Sequence, residues 1–427
     1  MPSSGPSPGR ASHLGVAMLA ALPLVLPWGY WAGPLWLAAA GLMGLARRRH
    51  RLAQLTVADR RLAALLLLLG LVQLLACAIS PQGTRGLPLV LAAWLAVPAL
   101  LQLRACPPSP AWWWGGMAAG GLMTGASALW QALVQGRFRP DGVDIDPILY
   151  GNLSLLTGLL CLAGLGWALH RHDRRWCWLM LAGALGGLMA SGFAGARGGW
   201  VALPLVLWVF LRGWPRGQGH HLPRRAWWWL LVLLLLLPLA LYLTPETRVK
   251  VRVDDAVAEF RDYVAHPHKP SSVTTRIALW QGAWQLIREA PMLGHGQAGF
   301  RDGMARLVAR PDAPFGAHLL AFWHPHQDLL DAWVRRGLLG LGGLMALYLL
   351  PWCHFRGGRR PDACGNAAPA LAGALVPVAY LGFGLSYGFF AYPAGLLVFL
   401  GWLLVPWVLV DSPLHETASL PRGSRPP

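Results

Sequence analysis

The feature that most constrains this chain is the recurrence of apolar runs long enough to cross a lipid bilayer. A hydrocarbon core needs roughly 17–25 apolar residues in a helix to span it. Such runs fall near 13–30, 31–46, 61–80, 86–103, 111–134, 148–170, 175–193, 198–212, 226–243, 338–355, 369–391 and 394–411. In lipid, each backbone N–H and C=O must be satisfied within the segment, so runs of this length fold as helices. The pattern predicts an all-α polytopic membrane protein with about twelve transmembrane helices. Composition agrees: 13% of the 427 residues are charged, against about a quarter in soluble proteins. The first run follows Arg10 and resembles the apolar core of a signal peptide. A second run follows at once, which predicts an uncleaved first helix.

A net charge of +18 would suggest nucleic acid in a soluble chain. In a membrane protein it reflects retention of Lys and Arg on the cytoplasmic side, and no nucleic-acid partner is expected. With the N-terminus inside, the cytoplasmic connections collect Arg47, Arg48, Arg49, Arg51, Arg104, Arg171, Arg174, Arg212, Arg224, Arg356 and Arg359, whereas the short outer loops hold Arg85, Arg137, Arg139 and Arg197. Both termini are therefore expected in the cytoplasm. The six cysteines fall in spans or cytoplasmic loops, so no disulfide framework is expected outside.

The expected organisation is 1–243 with the first nine helices, 244–336 as a large helical segment on the outer side, 337–411 with the last three helices, and 412–427 as a cytoplasmic tail. A segment as long as 244–336 is usually functional or carries its own structure. VRVDDAVAEFRDYV (251–264) and TTRIALWQGAWQLIREA (274–290) have helical spacing. In the second, Ile277, Trp280, Trp284 and Ile287 define the apolar face, Thr274 or Thr275 caps, and Pro291 stops the helix. Another helix is expected from about Pro325, running into the tenth span. The segment's charge is mixed, twelve Lys and Arg against ten acids over 244–336, which argues against a nonspecific patch for anionic lipid.

Candidate chemistry concentrates in HPHQDLLDAWVRRG (324–337), where two histidines, two aspartates and two arginines stand at the mouth of a span. His324 and His326 suit acid–base work or phosphate binding near neutral pH; capping and solvation of the helix start is the plainer alternative. A zinc site is the weaker reading, because no further ligand stands at a familiar spacing. Arg197, in SGFAGARGGW, sits on the outer side, where basic residues are disfavoured, and a guanidinium there suits phosphate; an ordinary snorkelling arginine is the alternative. Arg276, in the first turn of the 274–290 helix, would alone read as a solvated face. GHGQAGF (294–300) predicts a tight turn and lacks the lysine and hydroxyl of a P-loop. DGVDID (141–146) reads as an exposed acidic turn. The tryptophans at 112–114 and 227–229 read as interfacial belts. Asp328, Asp331 and Arg335 share one helix face and suit orientation of a histidine, or a solvated ion-pair stripe.

Taken together, three of these stretches resemble the O-antigen ligase family, within the superfamily of O-antigen polymerases and O-oligosaccharyltransferases. They are the small-residue motif ending in Arg197, R-x-x-x-W from Arg276 to Trp280 followed by Pro291, Gly294, Gly296 and Phe300, and H-[NSQ]-x9-G in His326, Gln327 and Gly337. Ala196 stands where many relatives have serine, which leaves the arginine's role intact. The resemblance implies a GT-C-like membrane glycosyltransferase that needs no metal or other cofactor. Its donor would be O-antigen on undecaprenyl pyrophosphate, and its acceptor lipid A–core, at the periplasmic face of a Gram-negative inner membrane. Arg197 and Arg276 would bind the pyrophosphate, where negative charge grows as the glycosyl bond breaks. His326, with His324 second, would activate the acceptor hydroxyl or hold the pyrophosphate, and Asp328 and Asp331 would orient them. Direct attack would invert the anomeric centre, since no Asp/Glu pair suggests a covalent intermediate. A polymerase of the same superfamily differs only in its acceptor. A protein O-oligosaccharyltransferase is a further alternative, disfavoured by the early C-terminus. A lipid or polysaccharide transporter is the rival of another class, disfavoured because the spans carry few midplane charges.

Overall fold

The computed structural model describes residues 8–47, 52–80, 82–213, 271–311, 316–357 and 367–411, with single positions between 243 and 261. Regular structure among these residues is helical, apart from an isolated bridge between Gly142 and Ile145. In chain order the helices are α1 (Pro8–Ala21), α2 (Gly29–Ala46), α3 (Val57–Ala78), α4 (Leu87–Ala105), α5 (Pro110–Leu129), α6 (Pro147–His170), α7 (Arg174–Ala194), α8 (Arg197–Trp200) and α9 (Leu203–Gly213). After the segment at 214–270 come α10 (Ser272–Glu289), α11 (Gly299–Val308), α12 (Asp328–Gly357), α13 (Ala367–Gly384) and α14 (Pro393–Leu409).

Six of these stretches, Val57–Ala78, Gly83–Ala105, Pro147–His170, Arg174–Ala194, Asp328–Arg356 and Ala367–Gly384, are long and apolar enough to cross a membrane, and Gly198–Arg212 and Pro393–Leu409 are shorter apolar helices. The chain is a polytopic helical membrane protein. Of the twelve expected spans, six therefore meet length and apolarity among the described residues. The expected ninth, 226–243, lies outside them but for its last residue, and the expected helix at 251–264 lies mostly outside.

Two span boundaries are corrected. The first run stops at Ala21, and a turn leads through Trp28, in the left-handed region at φ 55°, into α2. The run expected at 369–391 ends at Gly384. Residues 385–392 form a turn, because Tyr392 precedes Pro393, which disfavours helical backbone at its predecessor.

Helix starts follow local chemistry. The Thr56 hydroxyl accepts the Asp59 N–H while the Asp59 carboxylate accepts the Thr56 N–H, a reciprocal cap for α3. Ser271 begins α10 in the same way with Thr274, one turn earlier than the predicted caps at Thr274 or Thr275. Helices α5, α6 and α7 pack closely through small residues: a Cβ at Gly121 would meet the backbone of Gly183, and one at Gly186 the backbone of Gly121. Close backbone approach of this kind is how helices gain contact in lipid, where no hydrophobic force drives one helix onto another. Trp113 and Trp114, expected at an interface, are fully buried in this packing, and only Trp112 is exposed; the belt reading for 227–229 lies outside the described residues.

Alternate connections gather at opposite ends of the bundle. At one end the Trp28 N–H donates to Asp144 (3.0 Å), the Gln297 N–H to the Ala76 carbonyl (3.0 Å), and the Ala298 N–H to Ser80 (3.1 Å). At the other, Asp59 is fully buried between Arg104 (2.7 Å) and the Trp407 indole (2.8 Å), with Arg104 also reaching Asp411 (3.1 Å).

Above the first end sits a second, small core. Leu279, Ala283, Leu286 and Ile287 of α10 pack with Phe300, Met304 and Leu307 of α11, with Leu319, and with Val334 of α12. The buried face of α10 is thus rotated from the predicted one: Trp284 is half exposed and stands edge-on to Trp333, 5.8 Å between centroids.

Candidate functional site

The start of α12 is displaced from the prediction. The helix begins at Asp328 rather than near Pro325, and Gln327 opens it: its carbonyl accepts the Asp331 N–H (3.0 Å) and its side-chain oxygen the Leu330 N–H (2.6 Å). This leaves His324, Pro325 and His326 outside the helix, with His326 in the left-handed region at φ 55°. A non-glycine residue held there is sparsely populated, and such positions cluster at functional sites. The strain turns the His326 backbone N–H onto Nδ1 of His324, 3.0 Å away, and lays the two rings together at 4.4 Å and 25°.

The same helix contains a break. Gly337 has φ 59° and ψ −155°, a conformation close to glycine-only, and a Cβ there would collide with the Met292 carbonyl. The carbonyls of Val334 and Arg335, freed by the break, accept the N–H groups of His295 (2.8 Å) and Gly296 (3.0 Å), and the Leu338 N–H donates to Pro291 (3.0 Å). Gly294 and Gly296, both at positive φ, let the 291–296 turn follow this path. GHGQAGF is thus a tight turn, as expected, and its backbone donors are spent within the protein: His295 and Gly296 on the helix break, Gln297 and Ala298 on the end of α3. Gln297 adds a bond to Gln73 (2.8 Å), which in turn accepts from Arg336 (2.8 Å).

The 385–392 turn closes over the histidines. A Cβ at Gly388 would stand 3.0 Å from Nδ1 of His324, so glycine permits the approach. Nε2 of His324 lies 3.2 Å from the Tyr392 hydroxyl, and the hydroxyls of Tyr392 and Tyr387 are 2.7 Å apart. The Tyr387 ring stands edge-on to both imidazoles, at 5.1 and 5.0 Å. Tyr387 also interacts with the carboxylate of Asp146, which caps α6 by accepting the Ile148 and Leu149 N–H groups (2.9 and 3.2 Å). The acidic turn read as exposed is therefore partly built in: Asp146 faces the site, Asp144 holds Trp28, and Asp141 pairs with Arg137 at 2.7 Å.

Asp328 and Asp331 were expected to orient a histidine. Among the described residues they hold the frame instead. Asp328 accepts the Phe390 N–H (3.0 Å), tying the tyrosine turn to α12. Asp331 pairs with Arg335 at 2.8 Å, both fully buried, and Arg335 donates to the Trp323 carbonyl (2.9 Å) and lies over its ring at 5.2 Å. Of the two predicted phosphate-binding arginines, Arg276 stands on α10 within electrostatic range of His326 and donates to Ser272 (3.0 Å). Arg197 opens α8, which packs against α13 and against Ser386 of the tyrosine turn at Gly198.

The electrostatics follow from burial. His326 is pushed down to about 4 by burial and by the Arg276 charge. His324 is held well below the usual imidazole value by burial, then by His326 and Arg335. Both rings are therefore neutral at pH 7. Burial raises the Tyr387 and Tyr392 hydroxyls, Tyr392 to about 12, and raises the Asp146 carboxyl against the pull of its capping bonds. The two rings differ in freedom: His324 has both nitrogens engaged, whereas among the described residues no hydrogen bond is made by the ring of His326. A neutral imidazole with an open nitrogen beside a guanidinium can take a proton next to a bound anion.

Sequence reasoning missed Asp146, Tyr387 and Tyr392. The one hint was SYGFFAYP, where Tyr387 and Tyr392 stand on either side of Gly388 ahead of a proline; a tyrosine in an apolar run otherwise counts toward the run.

Comparison with known proteins bears on this assembly directly. The chain is 24% identical over 373 residues to an uncharacterized protein of Haemophilus influenzae, covering 87% of this chain and 91% of that one. Residues 182–345 match the family model described as O-antigen ligase. That segment contains Arg197, Arg276, His324, His326 and the Gly337 break, and stops short of the tyrosine turn. Over residues 182–345 the chain is therefore similar to the O-antigen ligase superfamily.

Proposed function

We propose that the chain is an O-antigen ligase, transferring a glycan from undecaprenyl pyrophosphate to a lipid A–core acceptor at the periplasmic face of the inner membrane. The observation that carries this reading is the convergence of a strained, neutral His326 with Arg276 at the boundary end of α12, inside the matched domain. Both substrates are amphiphiles, so their reacting ends meet at such a boundary. The acceptor hydroxyl attacks the anomeric carbon, its bond to the pyrophosphate oxygen breaks, and the configuration inverts. His326 takes the hydroxyl proton and the electron pair leaves on the pyrophosphate. Arg276 and Arg197 stabilise that growing charge, the largest source of acceleration available to such a site. An anion bound beside Arg276 also offsets the charge that depresses His326, so donor binding raises its basicity. No metal or cofactor has a part in this scheme. It places the site on the outer side, with about twelve spans, 244–336 as the periplasmic segment and both termini in the cytoplasm.

The test is the glycolipid profile of the host after deletion of the gene for this chain. Ligation predicts lipid A–core without O-antigen, polymeric glycan accumulating on undecaprenyl pyrophosphate, and rescue by the wild-type chain. Arg276→Ala, normally inserted, is expected to reduce rescue about a hundredfold or more. Lipid A–core capped by one repeat unit would replace ligation with polymerisation, and an unchanged profile would overturn both.

A further inference from the structure

We propose that Tyr392, Tyr387 and Asp146 form a one-way hydrogen-bond chain that reinforces the tautomer of His324 set by the His326 backbone N–H and supports charge on the histidine pair, with all three acting as positioning residues. The proposal rests on the transfer reaction above and extends it beyond the matched domain, because all three residues lie outside 182–345.

The direction of the chain follows from one donor that cannot reverse. The His326 backbone N–H points at Nδ1 of His324, so that nitrogen presents its lone pair. A neutral imidazole then carries its hydrogen on Nε2, and Nε2 donates to the Tyr392 hydroxyl at 3.2 Å. Tyr392 has its own proton to place, and the Tyr387 oxygen is 2.7 Å away. Tyr387 must donate onward in turn, and it faces the Asp146 carboxylate. There Oδ1 is taken by two capping N–H groups, while Oδ2 is buried and makes no hydrogen bond of good geometry among the described residues. The opposite polarity would require Tyr392 to donate to Nε2 and would set an Nδ1–H against the His326 N–H. The chain therefore runs from the histidine pair to the Asp146 carboxyl group at the α6 N-terminus.

Its use is in the step where His326 gains a proton. The cation forms 4.4 Å from the His324 ring, in a setting that already holds Arg276 and Arg335. A polarised chain ending on a carboxylate strengthens along its length and lowers the cost of that cation. The charged groups that face it are Arg276 from α10, Asp331 and Arg335 from α12, and Arg139 beside Asp146.

Two measurements on the full-length protein in proteoliposomes test this. The first is activity-independent: 15N solid-state NMR of histidine-labelled protein, with His324 assigned from His324→Gln. Nε2 is expected protonated and Nδ1 unprotonated in the wild type. Asp146→Asn keeps a competent cap but offers its amide as donor, and is expected to perturb that pattern. The second is steady-state transfer from an undecaprenyl-pyrophosphate glycan to lipid A–core. Tyr392→Phe, Tyr387→Phe and Asp146→Asn are each expected to lower kcat about tenfold to a hundredfold with donor KM held, and the Tyr392→Phe/Asp146→Asn pair to fall no further than either alone. A protonated Nδ1 in the wild type, or fully additive losses with an unchanged His324 spectrum, would overturn the chain while leaving the ligase reading intact. Absence of transfer by the wild type would defeat the ligase reading, and the NMR result would still decide the hydrogen-bond chain.

Discussion

At the scale of single residues, the site keeps imidazoles neutral beside fixed positive charge. Because His326 is pushed down to about 4 by burial and Arg276, it is unprotonated and reactive through the whole physiological range, and gains a proton only as pH falls through that value. Modification by diethylpyrocarbonate, which needs neutral imidazole, is expected to lose half its rate at His326 near pH 4, followed by mass spectrometry of that residue. Arg276→Gln removes the second cause and is expected to move the midpoint upward, toward the ordinary 6.5. A midpoint unmoved by that change would take Arg276 out of the site's field. These histidines were legible in the sequence because titratable side chains beside a proline conflict with an apolar setting. Tyr387 and Tyr392 were not, since a tyrosine in an apolar run counts toward the run, and only the tertiary fold shows the hydroxyls meeting. Asp146 was misjudged for a related reason: three aspartates near a turn look solvated until the neighbouring turn is in place over one of them.

At the scale of elements, α12 is two helices joined end to end. Its first part, to Arg336, shares the small core of α10 and α11 through Val334, and the rest is a membrane span. The joint at Gly337 is sealed by the 291–296 turn rather than by the helix itself. Gly337→Ala places a Cβ against the Met292 carbonyl in a backbone region that side chains avoid. The expected loss is about 3 kcal/mol or more, read as a lower unfolding temperature of the detergent-solubilised protein. An unchanged temperature would mean that the helix runs straight through without penalty. The spacing of Gly337 from His326 was visible in the sequence, yet its reason was not: the partner that makes glycine necessary, Met292, lies forty-five positions upstream. The face of α10 was misplaced by the same kind of ignorance. Tryptophans dominate its apolar periodicity, but the neighbours that choose the buried side are Phe300, Met304 and Val334.

At the scale of the whole molecule, alternate connections collect at two ends, a histidine–arginine site at one and the buried Asp59–Arg104 pair at the other. This separation was the most legible property of the chain, since the arginine distribution and the span lengths both encode it; span ends were less so, because a run of apolar residues does not reveal where a turn such as 385–392 interrupts it. In a cysteine-free background, cysteine at Val143 or Val57, both exposed, separates the two sides. A membrane-impermeant maleimide is expected to label Val143→Cys in spheroplasts and Val57→Cys only after permeabilisation; the reverse pattern would invert the topology. The break at Gly337 also acts as a gauge. The nine residues from Asp328 to Arg336 are clamped at one end by the tyrosine turn and at the other by the 291–296 turn, so their length sets how far the His326 imidazole stands from the membrane helix. One inserted residue would advance the helix by about 1.5 Å and turn it by about 100°, with neither clamp able to follow. Length variation is therefore intolerable across this stretch.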